Sequence, residues 1–92
     1  MSDKVFKALG DPTRRRILKL LNKKDMSAGE IADQFSVTGA TMSHHFNVLK
    51  DADLVSVTRN GTQMVYTLNA TVFQELMAHL LDMFGKDIEA EG

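Results

Sequence analysis

Two capped helix starts, Ser27 and Thr38, stand so close together that only a short helix and a turn fit between them. Ser27-Ala28-Gly29-Glu30 reads as a capping box, in which the serine oxygen takes a free helical N–H and the glutamate reaches back to the serine N–H. Met26 and Ile31 flank it as a hydrophobic staple. Ile31, Ala32 and Phe35 then face inward, and the helix breaks at Ser36-Val37. Thr38 caps the next helix, with Val37 and Met42 as its staple and Met42, Phe46 and Leu49 along one face. Two helices joined this tightly form a helix-turn-helix pattern over residues 27–50.

The flanks complete the frame. Ser2 caps a short first helix bearing Val5, Phe6 and Leu9, stopped at Gly10. Asp11-Pro12 opens a second helix, with Asp as N-cap and Pro where its missing N–H costs nothing; Ile17, Leu18 and Leu21 form its buried face. After residue 54 the period changes to two, in Val55 to Thr58 and again in Met64 to Leu68. Arg59-Asn60-Gly61-Thr62 lies between these runs, and Asn-Gly is the strongest short hairpin signal because both residues tolerate positive φ. Residues 54–68 are therefore expected to form a two-stranded wing. Asn69 caps a last helix over 70–85, apolar at Val72, Phe73, Leu76, Met77, Leu80, Leu81 and Phe84 and stopped at Gly85, and 86–92 form a charged, frayed tail. The fold class is mainly α with a two-stranded β-wing, one winged helix-turn-helix domain over residues 1–92.

Charge and composition narrow the function. The net charge is −1, which by itself argues against a polyanionic partner, but residues 1–68 carry +3 and residues 69–92 carry −4. There are no cysteines, so disulfides, thiolate metal sites and thiol redox sensing are excluded. No signal peptide and no apolar run long enough for a membrane span is present, so a soluble cytoplasmic protein without membrane insertion is expected.

The helix beginning at Gly39 carries the functional argument. With Met42, Phe46 and Leu49 inward, Ala40, Thr41, Ser43, His44 and Asn47 face outward, and no acid interrupts them before Asp51. A merely solvated face usually carries Glu and Lys instead. Short neutral side chains let a helix sit deep in the major groove, where Ser, Thr, Asn and His meet base edges. Double-stranded DNA is the expected partner. Thr38, Lys50 and Arg59 would hold phosphates while Ser43 and His44 read bases.

Asp11-Pro12-Thr13-Arg14-Arg15, Ser43-His44-His45-Phe46 with Leu49-Lys50, Arg59-Asn60-Gly61 and Tyr66-Thr67-Leu68 together resemble the arsenic-repressor (ArsR) family of bacterial winged-helix repressors. Within that family the chain is similar to the short SdpR-type autorepressors, which also lack metal cysteines. The resemblance covers nearly the whole chain and implies a homodimer joined by its first and last helices, bound to a palindromic operator and blocking transcription. It places recognition-helix contacts on Thr38, Gly39, Ala40, Ser43 and His44, and wing contacts on Arg59 and its neighbours Asn60, Gly61 and Thr62. Gly39-Ala40 stand where many members carry Gln or Lys followed by a small residue or Pro, which shifts readout onto Ser43 and His44.

Several features admit a plainer reading. The apolar stripe of the last helix is either core or, with Val5, Phe6 and Leu9, a dimer seam; alone, Phe73, Met77, Leu80 and Phe84 would leave a large exposed patch. His44 and His45 point about 100° apart and make a poor chelate, so His45 is expected to pack beside Met42 or touch a phosphate. Glu75, His79 and Asp82 share one helix side, which keeps a metal-responsive repressor as an alternative, although a single histidine suits a solvated stripe better. No metal site or cofactor is assigned. Arg14 to Arg16 open a helix, a poor place for cations, and either a phosphate or a buried salt bridge would offset that. No cysteine nucleophile, phosphate loop or carboxylate pair can be placed on the frame, so no enzymatic activity is expected. A winged-helix module for protein contacts is the rival from another class, and a sequestering protein partner is one route to derepression.

Overall fold

The computed structural model describes the backbone of residues 3–91 and the side chains of residues 3–85. Its elements run α1 (Asp3–Leu9), α2 (Pro12–Lys23), β1 (Met26–Ser27), α3 (Ala28–Ala32), α4 (Gly39–Asp51), β2 (Val55–Asn60), β3 (Gln63–Leu68) and α5 (Ala70–Glu91). The cap proposed at Ser2 lies outside the described residues.

Local chemistry sets most of these boundaries. Asp11 caps α2 by accepting the Arg14 N–H at 3.1 Å, with Pro12 at the first helical position. The capping box closes in both directions: Glu30 N–H donates to Ser27 Oγ at 3.1 Å, and Ser27 N–H donates to Glu30 Oε1 at 3.0 Å. Those bonds hold the Glu30 carboxyl below its ordinary value, the Ser27 N–H being the main cause. The following helix is shorter than its apolar spacing suggests. Regular α3 ends at Ala32, and tighter i→i+3 bonds carry the chain on, from Gln34 N–H to the Ile31 carbonyl and from Phe35 N–H to the Ala32 carbonyl. No glycine is available there to supply a left-handed stop.

The hairpin forms as expected but turns one residue later. Asn60 pairs with Gln63, so the two loop residues are Gly61 and Thr62 rather than Asn60 and Gly61. Gly61 has φ of 64° and Asn60 stays in the strand, the pattern of a II′ turn, which needs positive φ only at its first central residue. Periodicity did not predict β1, which adds a third strand to the wing: Met26 pairs with Tyr66 and Ser27 with Val65, giving the antiparallel order β1-β3-β2. A two-residue strand is too short to carry a period, and it overlaps the capping box.

The core sits between the helices and the inner face of this sheet. Ile17 from α2, Ile31 from α3, Leu49 from α4 and Leu54 before β2 are fully buried, joined by Phe46, Val55 and Tyr66. Val5 and Leu76, expected at a seam between copies, belong to this core instead, because α1 and the first turns of α5 pack on their own protomer. Past Leu76 no described side chain of α5 is buried. The helix also does not stop at Gly85 but runs on to Glu91, since one glycine inside a helix costs only about 1 kcal/mol.

Candidate nucleic-acid interface

The helix α4 is fastened on one face and at both ends. Met42, His45, Phe46 and Leu49 are buried, and the Phe46 ring stacks on Tyr66 of the central strand with centroids 4.6 Å apart. At the N-terminus Thr38 accepts the Thr41 N–H at 3.2 Å and its hydroxyl donates to Thr41 Oγ1 at 2.9 Å. At the C-terminus Asp53 takes φ of 58°; its N–H donates to the Lys50 carbonyl and the Leu54 N–H to the Leu49 carbonyl, a Schellman closure. Leu49 and Leu54, the apolar pair that accompanies this motif, are both fully buried. Asn69 ties the closure to α5, donating from its side-chain amide to the Asp53 carbonyl at 2.9 Å and from its N–H to the Leu54 carbonyl.

The opposite face of α4 is open. Thr38, Gly39, Ala40, Thr41, Ser43, His44, Asn47 and Lys50 are all exposed, and none is acidic. The wing tip is equally open: Arg59, Asn60, Gly61 and Thr62 are exposed, with Arg59 opposite Met64 across the hairpin. The Phe46–Tyr66 stack packs the inner face of α4 on the central strand of the wing, so the packed pair offers an acid-free helix face and a hairpin carrying a cation. Thr58, Gln63 and Met64 are exposed on the same hairpin and drew no attention in the sequence, because the alternation there is one of hydropathy and not of contact chemistry.

The structure chooses among the alternatives the sequence left open for Arg14 and His45. Arg14 is buried and so not open to a phosphate, and among the described residues its guanidinium hydrogen-bonds to no carboxylate. It donates to the Ala8 carbonyl at 2.8 Å, the Lys7 carbonyl at 3.0 Å and His45 Nδ1 at 3.2 Å. His45 is accordingly buried in that contact and not available to a phosphate; its Nδ1 also lies 3.9 Å from Asp11 Oδ2. Arg15 donates to the Leu9 carbonyl at 2.7 Å, and the Arg16 guanidinium lies 4.7 Å over the Phe35 ring. The Asp11 carboxyl is held below its ordinary value mainly by the Arg14 N–H, against a partial desolvation cost and with help from the Arg14 charge and the Thr13 N–H.

The remaining seam residues divide by depth. Leu9, Val72 and Phe73 are half-buried, while Phe6, Met77, Leu80 and Phe84 are exposed, Met77 to 62%. Leu81 and Met83, exposed to 60% and 53%, extend that apolar surface beyond the residues singled out from the sequence. The His79 ring faces Phe6 at 6.2 Å, and Glu75 and Asp82 are exposed. Among the described residues no three His, Asp or Glu side chains converge as a metal cage would require. No helix among them is long and apolar enough to cross a membrane.

Comparison with known proteins agrees with this geometry. Residues 9–58 match a family described as a helix-turn-helix domain. The chain is 46% identical over 82 residues to the transcriptional repressor SdpR of Bacillus subtilis, covering 89% of this chain and 91% of that one. A crystal structure of an ArsR family transcriptional regulator superposes with a TM-score of 0.83 at 25% identity, covering 88% of this chain and 89% of the other. An ArsR-like transcriptional regulator from a Rhodococcus species superposes with a TM-score of 0.78 at 28% identity, over 97% of this chain and 83% of the other. The chain belongs to the ArsR family of winged helix-turn-helix transcriptional repressors, DNA-binding regulators and not enzymes.

Proposed function

We propose that the protein is a homodimeric repressor that occupies a palindromic operator at its own promoter and excludes polymerase by steric block. The observation that carries this reading is the open, acid-free face of α4 together with an exposed wing tip that carries Arg59. In this arrangement Ser43 and His44 read base edges, with Ala40, Thr41 and Asn47 lining the groove and Gly39 allowing close approach. Thr38, Lys50, Arg59 and the backbone of Asn60 to Thr62 hold phosphates and set the register. Phe6, Met77, Leu80 and Phe84, with the half-buried Leu9, Val72 and Phe73, supply the seam between protomers. Autorepression is carried over from the resemblance to SdpR-type repressors.

The deciding experiment is fluorescence anisotropy on a duplex from the protein's own upstream region and on a scrambled duplex, at about 150 mM salt, with and without zinc. A preference of about a thousandfold or more is expected. Equal weak binding to both duplexes removes autorepression. Binding insensitive to salt removes the phosphate contacts and turns the open face over to a protein partner.

A further inference from the structure

Arg14 is a permanently charged group at 9% exposure, and such a group is tolerated inside a protein only where its donors are met. They are met on two other helices at once. Nε and one terminal nitrogen donate to the carbonyls of Ala8 and Lys7, in the last turn of α1, where the helix dipole is negative; the Lys7 carbonyl also takes the Gly10 N–H at 3.1 Å. The other terminal nitrogen meets Nδ1 of His45, at 7% exposure on the inner face of α4, next to His44 on the outer one. A guanidinium can only donate, so Nδ1 accepts and the ring proton sits on Nε2. Asp11, the cap of α2, flanks the same ring nitrogen at 3.9 Å. One planar fork therefore ties α1, α2 and α4 together.

The apolar core also holds α4, but apolar contact is non-directional and tolerates small rotations, whereas a three-bond guanidinium fork specifies orientation. We propose that Arg14 is a positioning residue for operator reading. Through His45 it sets the angle of α4 relative to α1, and hence the separation and tilt of the two recognition helices across the dimer. This rests on the dimeric, DNA-reading function proposed above. Half-site spacing on DNA is a geometric property of the dimer, with recognition helices about 34–36 Å apart on successive turns. Loosening the fork is therefore expected to relax spacing before it touches non-specific affinity.

The test uses the full chain and a duplex that the wild-type protein selects from a random-sequence pool, remade with the central spacer lengthened or shortened by one and two base pairs. Arg14→Met and His45→Phe keep volume and lose the bond, while His45→Asn keeps an acceptor where Nδ1 stands. For the first two, affinity for the selected duplex is expected to fall about tenfold and affinity for random duplex to stay within about twofold, the scale of a side chain that tunes coupling without touching ligand. Their spacer preference flattens, and His45→Asn restores it. The double variant Arg14→Met with His45→Phe loses no more than either single change, because both break one interaction. A folded Arg14→Met protein that keeps the wild-type spacer preference, or that loses equally on both duplexes, overturns the proposal. If Arg14→Met does not fold, the His45 pair decides: equal spacer profiles for Phe and Asn overturn it. Should the wild-type protein select no sequence at all, the underlying DNA-reading function fails first, and that failure is visible before any variant is made.

Discussion

Two single residues carry conformational or protonic energy that can be measured. Asp53 closes α4 with a positive φ of 58°, a conformation that costs a non-glycine residue about 1–2 kcal/mol and Asp somewhat less. It also places a carboxylate at the negative end of the helix dipole. Only its backbone is used by the Schellman bonds and by Asn69. Asp53→Gly is therefore expected to stabilise the fold by about 0.5–1 kcal/mol, and Asp53→Val to destabilise it by about 1–2 kcal/mol, in urea unfolding followed by circular dichroism. Asp11 stores a pH dependence. Its folded carboxyl titrates below its ordinary 3.8, so its stabilisation is fully present above that value and is lost as pH falls through the lowered one. Asp11→Asn keeps a capping oxygen without the charge. The stability gap between wild type and Asp11→Asn should be widest near neutrality and close under acid; a gap independent of pH would show the cap to be purely geometric.

At the scale of elements, the proposed function divides the labour of recognition between α4 and the wing hairpin. The helix face is acid-free and, from Gly39 to Asn47, uncharged and suited to base edges, while Lys50 at its end and Arg59 at the hairpin tip are cations suited to phosphates. His44→Ala is expected to cost about 1–3 kcal/mol on the operator and almost nothing on random duplex. Arg59→Ala should weaken both duplexes alike and lower the slope of log affinity against log salt by roughly one. Anisotropy titrations over a salt series separate the two outcomes, and an unchanged slope would take Arg59 off the phosphate contacts. The caps of α2, α3 and α4 were legible in the sequence because they depend on neighbours three residues apart. The strand β1 was not, because its pairing with Tyr66 and Val65 is made across a long stretch of chain.

The whole molecule is stretched by its last helix. Its radius of gyration is 14.9 Å, against about 12 Å for a compact chain of this length, and it measures 51 × 24 × 22 Å. At 22 residues α5 is about 33 Å long, and beyond Leu76 it displays Met77, Leu80, Leu81, Met83 and Phe84 around its surface. So much apolar area on a helix end suits the seam proposed between protomers. Met77→Glu combined with Phe84→Glu is expected to halve the mass seen by sedimentation equilibrium. It should also reduce operator affinity by about a hundredfold or more, since each half-site must then be bound alone. A dimer that survives both charges would move the seam off α5.

The sequence alone determined what depends on neighbours: the caps of α2, α3 and α4, the helix-turn-helix spacing, the presence of the hairpin and the polar outer face of α4. Each rests on bonds or periods spanning a few residues, and each was readable from the order of residue types. Tertiary structure decided the rest. It shifted the turn to Gly61-Thr62 through the register of β2 on β3, and drew Met26 and Ser27 into the sheet. It also sent Arg14 inward to His45 and the end of α1 instead of outward to solvent or phosphate. The reason is the same in each case. A backbone hydrogen bond between distant strands, or a buried cation shared between helices, depends on which elements meet, and that is settled only when the apolar core closes.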